Sequence, residues 1–225
     1  MASTSCAPLD RSRTRRRLAP WLSLFAMTTD AAAHEPSAGT SRRDVLLKVA
    51  ADLFLRNSYD GVTVDMICTA AGISGPGLYN HFENKQALLI AVVESPLAAL
   101  HRFARETAEA EPDPRAALEI LVDFHIRSVV TSAPTTLVFM KNEHALPEKD
   151  RRRIRREMNL YAEEWISIVA ALRPDLPEPE VRLLTHTVFS MLNSVATLNK
   201  GLDQESIVKT MSTAAIKALT SPSDD

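Results

Sequence analysis

The chain is 225 residues long, 45% hydrophobic and 24% charged, with a formal net charge of −2. That is enough apolar residue for a real core in one large domain or a small domain joined to a larger one, and it excludes a polybasic nucleic-acid binder, so contact with DNA has to come from a local patch. Cys6 and Cys68 stand too far apart for a disulfide framework or a zinc pattern, no unbroken apolar run of about 18 residues marks a membrane span, and 6 glycines with 2 Trp, 3 Tyr and 7 Phe lean towards an all-α chain.

Residues 1–40 are rich in Ser, Thr, Ala, Pro and Arg without a sustained period and read as a disordered extension. Arginines from Arg11 to Arg17, the apolar stretch 18–27 and the run Ala31-Ala32-Ala33 mimic a secretory signal, but Pro20 and Ser23 interrupt a short apolar part. Two other readings stay open: translation starts at Met27, or the segment is a plain flexible tail whose arginines brush phosphates.

From Ser41 the texture changes. Ser41 is a good N-cap, and Val45, Leu46, Val49, Leu53 and Phe54 recur at helical spacing as far as Arg56. Residues 57–61 are turn chemistry, and Thr63 caps a second helix with Met66, Ile67 and Ala70 on its inner face. Gly72 ends that helix in a left-handed conformation, and Ser74 caps a third, very short one reaching about His81. Glu83 or Asn84 opens a fourth, carrying Ala87, Leu88, Leu89, Ala91 and Val92. Gly61, Gly72, Gly75 and Gly77, four of the six glycines, fall within 17 residues. Two helices joined by a three-residue glycine turn make a helix-turn-helix, whose second helix enters the major groove.

The segment from Thr63 to Leu89, with Leu78-Tyr79-Asn80-His81-Phe82 followed by Lys85 and Ala87-Leu88-Leu89, closely resembles the DNA-binding segment of the TetR family of bacterial transcriptional regulators. The resemblance covers about residues 41–92. It implies that Tyr79, His81 and Lys85 contact DNA phosphates, that Thr63 presents its hydroxyl and nearby amides to another, and that Arg42 and Arg43 add charge. A half-buried packing role for Tyr79 and a merely solvated Lys85 are the plain alternatives. Ser74, Gly75, Pro76, Gly77 and Asn80 would face the bases. Gly75-Pro76-Gly77 offers no long donor, which leaves Asn80 as the adenine reader and Pro76 as a contact for a thymine methyl. Residues 41–90 carry five cationic and five anionic side chains, so the unit must segregate its charges.

Five further helices follow from the periodicity. The fourth runs to about Ala110 with Pro96 as a kink, and the others span about 114–132, 134–144, 148–172, 178–198 and 203–219. The run Arg151 to Arg156 opens the seventh, either as part of an electrostatic footprint or as a solvated face. Apolar stripes Val181, Leu184, Val188, Leu192, Val195 and Ile207, Met211, Ala214, Ala215, Ala218 mark the last two helices, and the resemblance implies a homodimer through them.

The predicted architecture is therefore all-α: an extension over 1–40, a three-helix DNA-binding domain over 41–87, and a helical ligand-binding and dimerisation domain over 88–220. A ligand cavity is expected among Leu100, Phe103, Phe124, His125, Phe139, Met140, Tyr161, Trp165, His186, Phe189 and Asn193, with the polar members orienting a mostly apolar molecule. The resemblance implies a cytoplasmic repressor, released from a palindromic double-stranded operator by a small hydrophobic effector, with no membrane partner. Neither a cofactor signature nor a metal-ligand spacing is present in the sequence. The alternative is a helical enzyme or a protein-binding module that leaves DNA alone, although no nucleophile-base pair or phosphate-cradling loop supports catalysis.

Overall fold

The computed structural model describes residues 41–131, 134–198 and 201–222, and the expectation of a disordered extension over 1–40 lies outside them. Among the described residues every regular element is helical: α1 Arg42–Asn57, α2 Val64–Ala71, α3 Gly75–Tyr79, α4 Lys85–Ala110, α5 Pro114–Thr131, α6 Thr135–Asn142, a 3₁₀ turn Glu143–Ala145, α7 Glu148–Leu172, α8 Glu178–Leu198 and α9 Gln204–Thr220.

Helix starts are set by side chains that take up orphan amides. Ser41 accepts from the Asp44 amide and its hydroxyl donates back to the Asp44 carboxylate at 2.7 Å. Thr63 accepts from Met66, Ser74 from Gly77, and Asp203 from Ser206. Asn84, not Glu83, opens α4, its Oδ1 accepting from the Ala87 amide at 2.8 Å. Gly72 closes α2 at φ 65°, ψ 35°, and this left-handed step lets the Ile73 amide reach back to the Cys68 carbonyl at 3.0 Å. Gly61 is required for a different reason: a Cβ there would stand 2.4 Å from the Asn57 carbonyl oxygen.

Two apolar cores lie along α4. The first gathers Leu46, Phe54, Ile67, Leu78, Phe82, Leu88 and Leu89 with Val138, Phe139, Leu146 and Ile154. It therefore crosses residue 87: α6, the 3₁₀ turn's end and the start of α7 share a core with the three-helix unit. The second gathers Leu100, Phe103, Leu121, Phe124, Trp165, Val188, Leu192 and Leu219 from α4, α5, α7, α8 and α9. Burying each such side chain fully contributes about 1.5–3 kcal/mol.

One expectation is corrected. The inner face of α2 is Ile67 and Cys68, while Met66 is 38% exposed and Ala70 faces out, because the helix lies against α1 on that side. By length and composition alone α4 could cross a membrane. Its apolar positions Leu88, Leu89, Val92, Val93, Leu97, Leu100 and Phe103 are instead buried in the two cores. Pro96 sits inside this helix without interrupting it.

Short α6 bridges the two regions. Its Lys141 ammonium donates to the carbonyls of Leu55 and Arg56 at 2.5 and 2.9 Å, and its Asn142 amide donates to Phe54 at 3.3 Å. These are the carbonyls at the end of α1.

Replacing Gly72 by Ala forces a Cβ into a left-handed backbone and is expected to cost about 1–2 kcal/mol, read as a lower urea midpoint with an unchanged slope.

Candidate nucleic-acid interface and ligand cavity

α3 is five residues long and stands on one buried side chain, Leu78, with Phe82 closing the core just beyond it. What remains points outward. Ser74, Pro76, Asn80 and His81 are exposed, Gly75 and Gly77 are half-buried, and Tyr79 is 54% exposed with its ring free of the core. A Cβ built on Gly75 meets no atom within 4 Å, so the backbone itself forms the outer surface at that point. On the flank, Thr63 uses one lone pair on the Met66 amide and keeps its O–H donor. Arg42 and Arg43 are exposed at the start of α1, and Arg43 lies over the Phe82 ring at 5.2 Å.

Lys85 has a different first task from the one expected. Its ammonium donates to the carbonyls of Tyr59 and Val62 at 2.9 and 2.8 Å and sits 3.9 Å from the Tyr59 ring centroid. Two of its three N–H donors are thereby used to fix the loop between α1 and α2 on the start of α4. This duty joins residues 26 and 23 positions apart and leaves no local pattern in the sequence.

The basic run at the start of α7 is largely neutralised. Arg151 and Arg152 pair with Glu148, Arg153 with Glu94 and Asp150, and Arg155 with Glu143. It ties α7 to α4 and the 3₁₀ turn.

A cavity of about 220 Å³ lies between α4, α5, α6, α7 and α8. Leu100, His125, Tyr161, His186, Phe189 and Asn193 line it as expected from the sequence. The other five candidates do not. Phe103 and Phe124 stack on each other at 3.7 Å between centroids inside the second core, and Trp165 is fully buried behind Phe189 at 4.8 Å. Phe139 belongs to the first core under Arg155, and Met140 is 66% exposed on the surface. Residues passed over include Pro96, Leu97, Ser128, Val129, Thr135, Met158 and Ser190. A signal existed for some of them, since Leu97 and Met158 each lie three residues before Leu100 and Tyr161, on the same helical face.

The chemistry of the lining is narrow. Among the described residues it contains no Lys, Arg, Asp or Glu. His125 Nδ1 and the Tyr161 hydroxyl are hydrogen-bonded at 3.0 Å, and burial lowers the His125 pKa to about 4, with Asn193 pulling weakly the other way. Burial pushes the Tyr161 hydroxyl up. Both groups are neutral at physiological pH, and His125 Nε2 is buried without a hydrogen-bond partner. No group of three or more metal-ligating side chains occurs among the described residues.

On α8 and α9 most of the expected stripe serves this chain's own core. Val181, Val188, Leu192, Val195, Ile207 and Ala215 are buried, and Leu184 and Met211 partly so. Ala214 and Ala218 face outward on α9, as do Thr187 and Leu183 on α8, the last 68% exposed.

Comparisons with known proteins agree with this arrangement. The family described as bacterial regulatory proteins, tetR family, matches residues 46–92, and that described as Tetracyclin repressor-like, C-terminal domain, matches residues 111–197. The chain is 29% identical over 140 residues to the HTH-type transcriptional repressor KstR2 of Rhodococcus jostii, covering 62% of this chain and 69% of the relative. It is 34% identical over 87 residues to the HTH-type transcriptional activator FasR of Mycolicibacterium smegmatis, covering 37% of this chain and 40% of that one. A crystal structure of a TetR-family regulator from Bordetella parapertussis shares the fold, with a TM-score of 0.69, 20% identity and coverage of 80% and 95%. Both curated relatives are named as transcriptional regulators, which speaks against the enzyme alternative.

Two consequences can be measured. Lys85→Met leaves the Tyr59 and Val62 carbonyls short of donors and is expected to lower stability by about 1–3 kcal/mol in urea, before any effect on DNA. His125 is neutral when folded and gains a proton on unfolding below its ordinary value of 6.5. Its contribution is thus complete above pH 6.5 and lost as pH falls towards 4, by about 3 kcal/mol, and His125→Leu should flatten that limb of a stability-versus-pH curve.

Proposed function

The chain belongs to the TetR family of bacterial transcriptional regulators, and we propose that it is a dimeric repressor that holds a palindromic operator and is released by a small hydrophobic effector. The observation that carries this is the outward row from Ser74 to His81, raised on Leu78 by the left-handed turn at Gly72. In this reading Tyr79, His81, Thr63, Arg42 and Arg43 hold phosphates and fix the register. Lys85 positions the unit and gives at most its third N–H to the backbone of DNA. Ser74, Gly75, Pro76, Gly77 and Asn80 lie against base edges, with Asn80 reading adenine and the glycines letting the duplex approach closely.

One five-residue helix covers too few base pairs for a unique address. Two copies related by a two-fold axis double the contact and demand an inverted repeat with half-sites about 10 base pairs apart. The outward residues Leu183, Thr187, Ala214 and Ala218 are the proposed contact between copies, small enough in α9 for close approach. The effector enters the cavity beneath α4, where Pro96, Leu97 and Leu100 meet it, and changes the angle at which that helix presents α1–α3. A coupling of about 1–3 kcal/mol, or 5–150-fold in operator affinity, suffices for regulation. KstR2 of Rhodococcus jostii bears the name of a repressor, which favours that sense of control.

Selection of bound fragments from random duplexes by the full chain is expected to recover an inverted repeat. On that site Tyr79→Phe should lose about tenfold in affinity with its melting curve unchanged. Recovery of no preferred sequence, or of one without two-fold symmetry, overturns the proposal.

A further inference from the structure

The cavity is not sealed by its own chain. Among the described residues that line it, Asn159 on α7 and His186 and Ser190 on α8 are exposed, and the others are buried or half-buried. The mouth therefore opens where α7 meets α8. One turn before His186, the ion pair of Arg182 with Glu163 joins the same two helices at one end of it.

The outer face of α8 is unlike that of a helix left to water. A surface helix ordinarily carries charge on its solvent side. α7 does so, with Arg152, Arg153, Arg155, Arg156 and Glu163 exposed. α8 does not: after Arg182 no Lys, Arg, Asp or Glu occurs before Lys200. Its outward positions are Leu183, Thr187 and Ser190, with His186 beside them, and Leu183 is 68% exposed. Absence of charge around an uncovered large apolar side chain is the composition of an interface centre. The occupant is a second copy of this chain. The two-fold contact already proposed through Leu183 and Thr187 continues along the same face to Ser190, and so reaches the mouth.

Register follows from this stripe. Leu183 and Ser190 stand two helical turns apart on one line of α8, roughly 10 Å from end to end. An antiparallel pairing about the midpoint sets Leu183 of each copy against Ser190 of the other, a large apolar group over a small hydroxyl. A parallel pairing sets leucine on leucine and leaves both mouths open. We propose that Leu183 of each copy closes the cavity of the other, so that the binding site is complete only in the dimer. This rests on the reading of the chain as a dimer with an effector cavity. An occupant then touches both copies and biases their mutual rotation directly, beside any movement of α4.

The test uses the full chain with Cys6→Ser, and sedimentation first establishes whether it is dimeric. In that background Leu183→Cys and Ser190→Cys together are expected to give at least about tenfold more covalent dimer on oxidation with copper phenanthroline than either substitution alone, because like positions stand beyond the roughly 7 Å between Cα atoms that a disulfide spans. N-ethylmaleimide should modify Ser190→Cys at least about fivefold faster once Leu183→Ala removes the cover, read on material that still sediments as a dimer. A dimer whose single variants cross-link as readily as the double one, or in which no variant cross-links, overturns Leu183 as the lid and keeps the dimer. An unchanged maleimide rate does the same. A chain that sediments as a monomer overturns the lid and the dimeric reading together. Should the double variant fail to fold, oxidation of an equimolar mixture of the two single variants decides in its place, and should Leu183→Ala dissociate the dimer, the cross-link decides by itself.

Discussion

Backbone carbonyls at the end of α1 and in the loop behind it receive side-chain donors from outside the three-helix unit. Asn142 reaches Phe54, Lys141 reaches Leu55 and Arg56, and Lys85 reaches Tyr59 and Val62. A helix end carries partial negative charge as well as unpaired oxygens, so ammonium groups are the fitting donors there. Apolar contact alone would let α1–α3 slide over α4 and α6, because such contact is non-directional. These bonds have direction, and they fix how α3 is held out. The first turn of the same α6 lines the cavity through Thr135 and Thr136, so one eight-residue helix touches both the ligand space and the recognition unit.

Much of this was written locally in the sequence. Ser41, Thr63, Ser74, Asn84 and Asp203 each mark a helix start because a cap acts over three residues, a range that a single sequence displays. Gly72 marked its turn for the same reason. What stayed hidden depends on partners far along the chain. Periodicity puts Phe103 and Phe124 on inner faces, yet only the packing of α4 on α5 decides that they meet each other and not the cavity. Phe139 is apolar and inward too, but its helix leans on α1, so it belongs to the other core. The bonds from Lys85 to the Tyr59 and Val62 carbonyls stayed hidden because those partners lie more than twenty residues away.

Charge is handled in opposite ways at the two sites. Around the recognition unit, balanced charges are sorted in space: Arg42 and Arg43 are exposed at one end of α1, while Asp60 is paired with His144 on another side at 2.9 Å. Such an interface draws on a few phosphate contacts and weakens as salt rises. The described wall of the cavity instead carries no Lys, Arg, Asp or Glu, and burial keeps its one deep histidine uncharged. Affinity for DNA and affinity for a ligand therefore answer to different solution conditions.

The empty space outside Gly75 has a bearing on descent. A position where a new side chain collides with nothing can mutate without a toll on folding, and in the proposed mode of binding that position meets the duplex. Copies of this gene after duplication could thus acquire distinct target sequences by single substitutions at one residue, leaving the rest of the scaffold untouched.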